Sequence, residues 1–447
     1  MSFWKIAWRS IEQRALASSL TGLSMALGVA LIILVLVIHN VFVAQLSNDA
    51  QGYELIVGGG QGSRFEVVLT SVFHIGKPLY PFPYSFYKKF VGDGEFAPYV
   101  EAAVPICLGD SYQTDDNHSF RVIGTRPEMF TAIPYGLDDD GHELNYQFSA
   151  GRNFKVENFY EAVLGSVAAN RTGLKVGEHF QPTHGISAGD TKHDGFEVVG
   201  ILAPTGTSTD RGIFVNMEGF YLGEGHAMPA KEGADDAAAS PPPGEPSESE
   251  GNGPRPLPES QREVTSILVR CNPDLPTAAM FIEGRVNKGE DRVAQAVAPR
   301  NVVRQIQDSF LDPVRVVLLV LTVLIVVVAG ISVLVSIYNS MSERSHDIAV
   351  MRALGASRAA VMGVILVESI LLSLLGAAAG MLLGHAVLAV AAPIVENYTG
   401  ITVRPWDFTW QELLLAPGLV AFASLVGLLP AMTAYRTDVA KTLGGAR

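Results

Sequence analysis

The sequence is short of charge. Only 17% of its 447 residues are Asp, Glu, Lys or Arg, where soluble globular chains carry about 25%. The shortage is local: a few long windows hold almost no charge and the stretches between them are normal, which excludes a single soluble globule. Basic residues are fewer than acidic ones, 32 against 45, giving a net charge of −13 and a pI near 5.3. A nucleic-acid binder would show a basic patch or stripe, so no nucleic-acid partner is assigned. Two cysteines exclude a disulfide-dense scaffold and any four-cysteine zinc site. Also missing are a GxxxxGK[ST] phosphate loop and a GxSxG nucleophile elbow. His142-Glu143-Leu144-Asn145-Tyr146 opens like a zincin helix but ends in Tyr, so the second metal ligand is absent. His179, His184 and His193 bunch closely, yet polar loops gather histidines by chance. No catalytic residue and no metal ligand is assigned.

What the chain has instead is apolar length. Hydrophobic residues make up 48%, and the mean hydropathy is +0.25. A bilayer core about 30 Å thick needs about 20 apolar helical residues, and four windows supply them. Ala15–Leu46 and Val316–Met341 contain no charged residue. Ala359–Val395 is interrupted only by Glu368 and His385, and Leu413–Tyr435 is the fourth. The first is too long for the h-region of a cleaved signal peptide. Lys5, Arg9 and Arg14, then Arg344, Arg352 and Arg358, then Arg436, Lys441 and Arg447 flank these windows. All fall on one side if both termini are cytoplasmic.

The expected fold is therefore a membrane α-helical protein of four transmembrane helices, with a large mixed α+β extracytoplasmic domain inserted between helices 1 and 2. The reading divides the chain into a cytoplasmic segment (1–14), helix 1 with a stalk (15–46) and the extracytoplasmic domain (47–312). Helix 2 (313–340), a cytoplasmic loop (341–358) and helix 3 (359–392) follow. A short extracytoplasmic loop (393–411), helix 4 (412–435) and a cytoplasmic tail (436–447) complete it.

In the extracytoplasmic segment, residues 65–74, 100–108, 120–125, 196–202 and 264–270 are short, β-branched, partly alternating runs and are expected as strands. Residues 84–91 and 302–310 read as amphipathic helices. The stretch 230–258 is rich in Pro, Ala, Glu and Ser with no apolar face, and is expected to be disordered. Cys107 and Cys271 both fall in this segment. The sequence allows a disulfide between them, and equally two buried free thiols.

Two features lie within the membrane. Glu368 is a lone intramembrane acid; such groups face a bundle interior or an aqueous cavity, or lie near the interface bonded to polar neighbours, and the second reading is preferred. Gly376, Gly380 and Gly384 form GxxxGxxxG on one helix face, a helix-packing surface.

Between helices 2 and 3 stands NSMSERSHDIAVMRALGASRAAVMGVILVESILLSLLGAAAG (339–380). Ile348, Met351 and Leu354 share one face of an amphipathic turn, which Gly355 and Ser357 then break. Periodicity alone leaves a docked partner and the lipid surface equally open as its neighbour. The stretch closely resembles the core motif of ABC transporter permeases of the FtsX/MacB/LolC type, roughly ER..EI...RALGAS......LLE..LLSLLG...G. Glu343, Arg344, Ile348, Arg352, Ala353, Leu354, Gly355, Ala356, Ser357, Glu368 and Gly376 match it. Asp347 stands where the family usually has Glu. WKIAWRSIEQRALASSLTGLSMALGVAL at the start, LLPAMTAYRTDVAKTL (428–443) near the end, and GRNF (151–154), EAVLGSVAA (161–169), GLKVGE (173–178) and FEVVGILAPTGTSTDRGIFV (196–215) resemble further parts of such permeases.

The resemblance implies that Glu343, Arg344, Asp347, Ile348, Met351, Arg352, Leu354, Gly355 and Ala356 form a coupling helix docked on a separate ABC ATPase subunit. That partner would hold ATP and Mg, with no cofactor on this chain. It further implies pairing with a second or related permease copy in a bacterial cytoplasmic (inner) membrane, contact with membrane lipids, and in some members a periplasmic adaptor. The implied function is ATP-driven movement of the extracytoplasmic domain that exports or extracts a lipophilic or peptide cargo. The alternative is an FtsX-like regulator of an external enzyme that moves no cargo.

Overall fold

The computed structural model describes residues 3–436 except 79, 115–117, 139, 186–194, 224–254, 290–291, 344–354, 400–402, 407 and 409. The chain divides into two compact units: 1–42 with 308–394 and 403–447, and 43–307 with 395–402. Among the described residues, four helices are long and apolar enough to cross a membrane, and a large α/β domain stands between the first and second of them.

The twelve α-helices of the described residues run in chain order. They are α1 (Phe3–Gln13), α2 (Ala15–Asp49), α3 (Arg64–Ser71), α4 (Tyr84–Tyr87), α5 (Ser166–Thr172) and α6 (Met217–Leu222), then α7 (Ala278–Asn287), α8 (Pro299–Ile306), α9 (Asp312–Glu343), α10 (Arg358–Thr399), α11 (Trp410–Leu413) and α12 (Leu415–Arg436). Most of α2 and α10, with α9 and α12, are the apolar helices of the first unit. Glycine sets how closely they approach. A Cβ added at Gly380 would lie 2.5 Å from the Ala26 carbonyl oxygen of α2, and one at Gly376 would lie 2.7 Å from Met25 Cβ. At Gly384 the nearest atom is Ile33 Cβ at 3.2 Å. Gly28 of α2 faces Val326 of α9, and Gly330 of α9 meets the Phe422 ring of α12. In lipid no hydrophobic force drives helices together, so close backbone approach and dispersion carry the association.

The soluble unit is built on one mixed sheet. Its main strands are β1 (Leu55–Gly59), β2 (Val100–Gln113), β3 (Ser119–Thr125), β4 (Phe148–Gly151), β5 (Glu161–Leu164), β6 (Phe196–Leu202), β7 (Ile213–Asn216), β8 (Ser266–Cys271) and β9 (Ala294–Val297). They lie in the order β9-β1-β8-β2-β3-β7-β5-β6-β4. β3 with β7 and β5 with β6 are parallel pairs; the other neighbours are antiparallel. Both faces are covered. Leu55, Val57, Ile267 and Val269 point to a core closed by Tyr84, Ala168, Phe220 and Ile282. Ile56, Leu268, Val163 and Phe214 point to the other, closed by Val67, Val68, Val302 and Phe130. A sheet buried on both sides selects continuous apolar runs over clean alternation, which is why these strands alternate only in part.

The strands expected at 100–108, 120–125, 196–202 and 264–270 are present, as are helical turns at 84–90 and 299–306. Residues 65–74 are a correction: they form α3 and the turn after it. Ser63 caps this helix, its hydroxyl accepting the Glu66 N–H at 3.0 Å. The Ser-x-x-Glu spacing is a helix-start signal that outweighs the β-branched composition of the run.

Cys107 and Cys271 are buried free thiols, so the disulfide is also corrected. They sit on neighbouring strands, but Cys271 is paired with Val100. Cys107 is seven residues further along, roughly 20 Å at about 3.3 Å per residue. Burial pushes both thiols up to about 12. Of the stretch expected to be disordered, 230–254 lies outside the described residues. Residues 255–258 are ordered: Leu257 packs against the core, and its carbonyl accepts Arg262 Nε–H at 2.6 Å. Arg262, paired to Glu218 at 2.9 Å and flanked by the Tyr84 and Tyr221 rings, holds residues 257–262 on the domain.

Candidate functional site

Two places bear on the expectations from the sequence: the segment expected to couple and the end of α2. The first is the coupling segment. Glu343 is the last residue of α9, and Gly355 and Ala356 lead into α10. Gly355 has φ +100, a left-handed conformation that glycine adopts without penalty. Ser357 then caps α10, its hydroxyl accepting the Ala360 N–H at 3.2 Å. Arg344, Asp347, Ile348, Met351, Arg352 and Leu354 lie outside the described residues. Glu368, ten residues into α10, is buried and engaged in a polar interaction. Its neighbours Ser369 and Ser373 are fully buried; Ser369 Oγ donates to the Ala423 carbonyl at 3.2 Å.

The second place is the end of α2, which carries the expected stalk. The helix runs unbroken for 35 residues, and its last turns are hydrogen-bonded to the loop 204–211 of the soluble unit. Gln45 Nε2–H donates to the Gly206 carbonyl at 2.8 Å and to Asp49 Oδ1 at 3.0 Å. The Ser208 N–H donates to Asp49 Oδ1 at 2.8 Å. The loop is itself held by Asp210, whose carboxylate accepts the N–H groups of Thr205 and Gly206. Burial raises the Asp210 carboxyl above its ordinary range, opposed by those same hydrogen bonds. Ser208 Oγ–H donates to the Val72 carbonyl at 2.5 Å, joining the loop to the end of α3.

A cavity of about 30 Å³ lies against this joint, lined by Asp49, Tyr53, Ser71, His74, Tyr146 and Ser208 among others. Its size suits one or two waters. His74 has φ +56 and is packed edge-on against Phe214. Burial, with Arg211 and Arg121 adding to it, pushes His74 down to about 3. His74 is therefore a neutral imidazole. Among the described residues, one group of acidic and histidine side chains is close enough to share a metal ion: Asp138, Asp140 and His142. All three are exposed in a hairpin turn, and Asp138 is already taken up by the His142 and Asp140 N–H groups.

The glycine face expected at Gly376, Gly380 and Gly384 lies against α2. Two features gave no sequence signal. Gln45 and Asp49 are about 160 positions from the loop they hold, and His385 of α10 pairs with Glu412 of α11 at 3.0 Å, both 1% exposed.

With this geometry in view, likeness to known proteins is informative. Residues 18–280 match the MacB-like periplasmic core domain, and residues 319–439 match the FtsX-like permease C-terminal region. The chain belongs to the FtsX/MacB family of ABC transporter permeases. It is 25% identical over 333 residues to the uncharacterized ABC transporter permease MJ1507 of Methanocaldococcus jannaschii, covering 71% of this chain and 70% of that one. It is 31% identical over 135 residues to the uncharacterized permease YknZ of Bacillus subtilis, covering 28% and 32%. A further stretch of 109 residues is 33% identical to the macrolide export ATP-binding/permease protein MacB of Nitrobacter winogradskyi, covering 24% and 16%. The chain thus spans less than a third of the length of each of the last two. The crystal structure of the extracellular domain of a YknZ transporter overlays 49% of this chain with a TM-score of 0.26 and 10% identity, so the assignment rests on the sequence matches.

Proposed function

We propose that this chain is the permease half of an ABC transporter whose ATPase is a separate subunit. The ATPase docks on the segment 343–356, and its ATP-dependent state reaches the soluble unit through α2 and the joint at Gln45, Asp49 and 204–211. The observation that carries this reading is the match of residues 319–439 to the FtsX-like permease region, inside which the motif around Arg352–Ser357 falls. On this reading both termini and this segment are cytoplasmic and the large domain lies outside, in a bacterial inner membrane; the basic flanks support that orientation. A second or related permease copy completes the assembly, and the cargo is lipophilic or peptidic.

The test is affinity capture of the full chain from its own membranes in mild detergent, with mass spectrometry of what co-purifies. A soluble ATPase bearing GxxxxGK[ST] is expected, and Leu354→Asp or Arg344→Glu should abolish its capture while membrane insertion is unchanged. Capture of no ATPase, or capture indifferent to both substitutions, rejects the docking assignment. A captured ATPase whose activity responds to an external enzyme, with no cargo moved in reconstituted vesicles, would select the regulatory alternative.

A further inference from the structure

The chain has four tryptophans, Trp4, Trp8, Trp406 and Trp410, and none is in the large soluble domain. Two lie on α1, beside the start of α2. The other two lie on the connection between α10 and α12, where Trp406 is 57% exposed, Phe408 59% and Trp410 68%, followed by exposed Leu413 and Leu414. Three large aromatics exposed within five residues form an apolar patch that calls for a covering surface.

Beneath the patch the packing is tight. The His385 ring stacks on Trp406, with centroids 5.8 Å apart and planes 17° off parallel, and lies 4.6 Å from the Phe408 centroid. Its Nδ1 is 2.5 Å from the Pro405 carbonyl oxygen and its Nε2 3.0 Å from Glu412 Oε2. Both nitrogens thus face an oxygen. The ring is therefore satisfied although it is buried.

The position along the bundle identifies the covering surface. His385 is 27 residues beyond Arg358, the first residue of α10, a path of about 40 Å at about 1.5 Å per residue. That exceeds the hydrocarbon thickness of about 30 Å. With the hydrocarbon edge taken at Arg358, as the proposed orientation has it, the patch falls at the level of the headgroups on the side opposite the coupling segment. Tryptophan suits that layer, with an apolar ring and an indole N–H that reaches polar groups.

We propose that Trp406, Phe408 and Trp410 are a lipid anchor that enters the phospholipid headgroup layer, and that the His385–Glu412 pair is the latch that holds them there. The test uses the full-length chain carrying Trp4→Phe and Trp8→Phe, so that only Trp406 and Trp410 emit. The protein is placed in nanodiscs of phosphatidylethanolamine and phosphatidylglycerol doped with phosphatidylcholine brominated either near the headgroup or near the methyl end of its chains.

Blue-shifted emission is expected, lost most strongly with the bromines near the headgroup and little affected by aqueous iodide. Quenching by iodide with none by brominated lipid would overturn the anchor. So would strongest loss from bromines at the chain ends, or shielding from both quenchers, which would mean that protein covers the patch. His385→Leu and the nearly isosteric Glu412→Gln should each shift emission to the red and lose the lipid quenching. Retained quenching in both variants overturns the latch. Should a variant fail to insert, the Trp4/Trp8 background decides the anchor by itself.

Discussion

The helices α2 and α9 have nearly the same hydropathy, 2.7 and 2.6 over their apolar spans, and opposite surroundings. In its most apolar window α2 is 44% buried by the rest of the chain, while the corresponding span leading through α9 is 6% buried. The first helix meets glycines, at Gly376, Gly380 and Gly384, and ends in hydrogen bonds to a folded loop. The second exposes Val316, Val320, Val323, Leu324 and Val328. It joins the soluble unit through a π-helical turn at Gln307–Leu311, a wider winding that frequently marks functional sites. The contrast teaches that hydropathy identifies a span but not its neighbours. One helix is packed along its middle and hydrogen-bonded at its end; the other leaves most of its apolar side chains exposed among the described residues.

The contrast can be broken most severely at Gly380. Gly380→Leu would drive a side chain into the backbone of α2 at Ala26, and we expect loss of the folded bundle, read as aggregation in size-exclusion chromatography. Asp49→Ala comes next. It strips the buried Ser208 N–H of its acceptor, a loss of about 1–3 kcal/mol, read as faster hydrogen exchange at 204–211.

His74 gives a smaller, pH-dependent effect. Its folded value near 3 lies below the unfolded value near 6.5, so the neutral form favoured by the fold is complete above pH 6.5. Stability should then fall as the pH drops from 6.5 towards 3, by at most about 1.4 kcal/mol per pH unit. His74→Asn, which tolerates the left-handed backbone, should flatten that slope in denaturant titrations at several pH values. Last, Val323→Ala on the exposed side of α9 should change thermal stability by less than about 0.5 kcal/mol in nanodiscs. A larger loss there would mean that α9 has a protein neighbour.

Much of the architecture is legible in the residues because it depends on short-range pattern. Apolar windows, the glycine face and the buried β-runs each carry their signal within about thirty positions. The exceptions are informative. Residues 65–74 have strand composition, and the cap that makes them a helix lies at Ser63, just before the run. The packing partner of the glycine face was not readable, because spacing specifies a smooth surface without saying what fits it. The Asp49–Ser208 and His385–Glu412 pairs join residues 159 and 27 positions apart, and neither has a spacing that any rule of local structure would single out. Cys107 and Cys271 share a compartment and adjacent strands; the register between those strands keeps them apart.

The unbroken run of α2 has a consequence for scale. Thirty-five residues make a rod about 52 Å long at about 1.5 Å per residue. Pivoted at one end, such a rod converts a tilt of about 5° into a shift of about 4.5 Å at the other, close to one helical turn. In the proposed mechanism the hydrogen bonds of Gln45 and Asp49 to Gly206 and Ser208 would receive that displacement, and they span less than 3 Å each. On that mechanism a small tilt would become a movement larger than the reach of the bonds that receive it. The loop must travel with the helix, or let go.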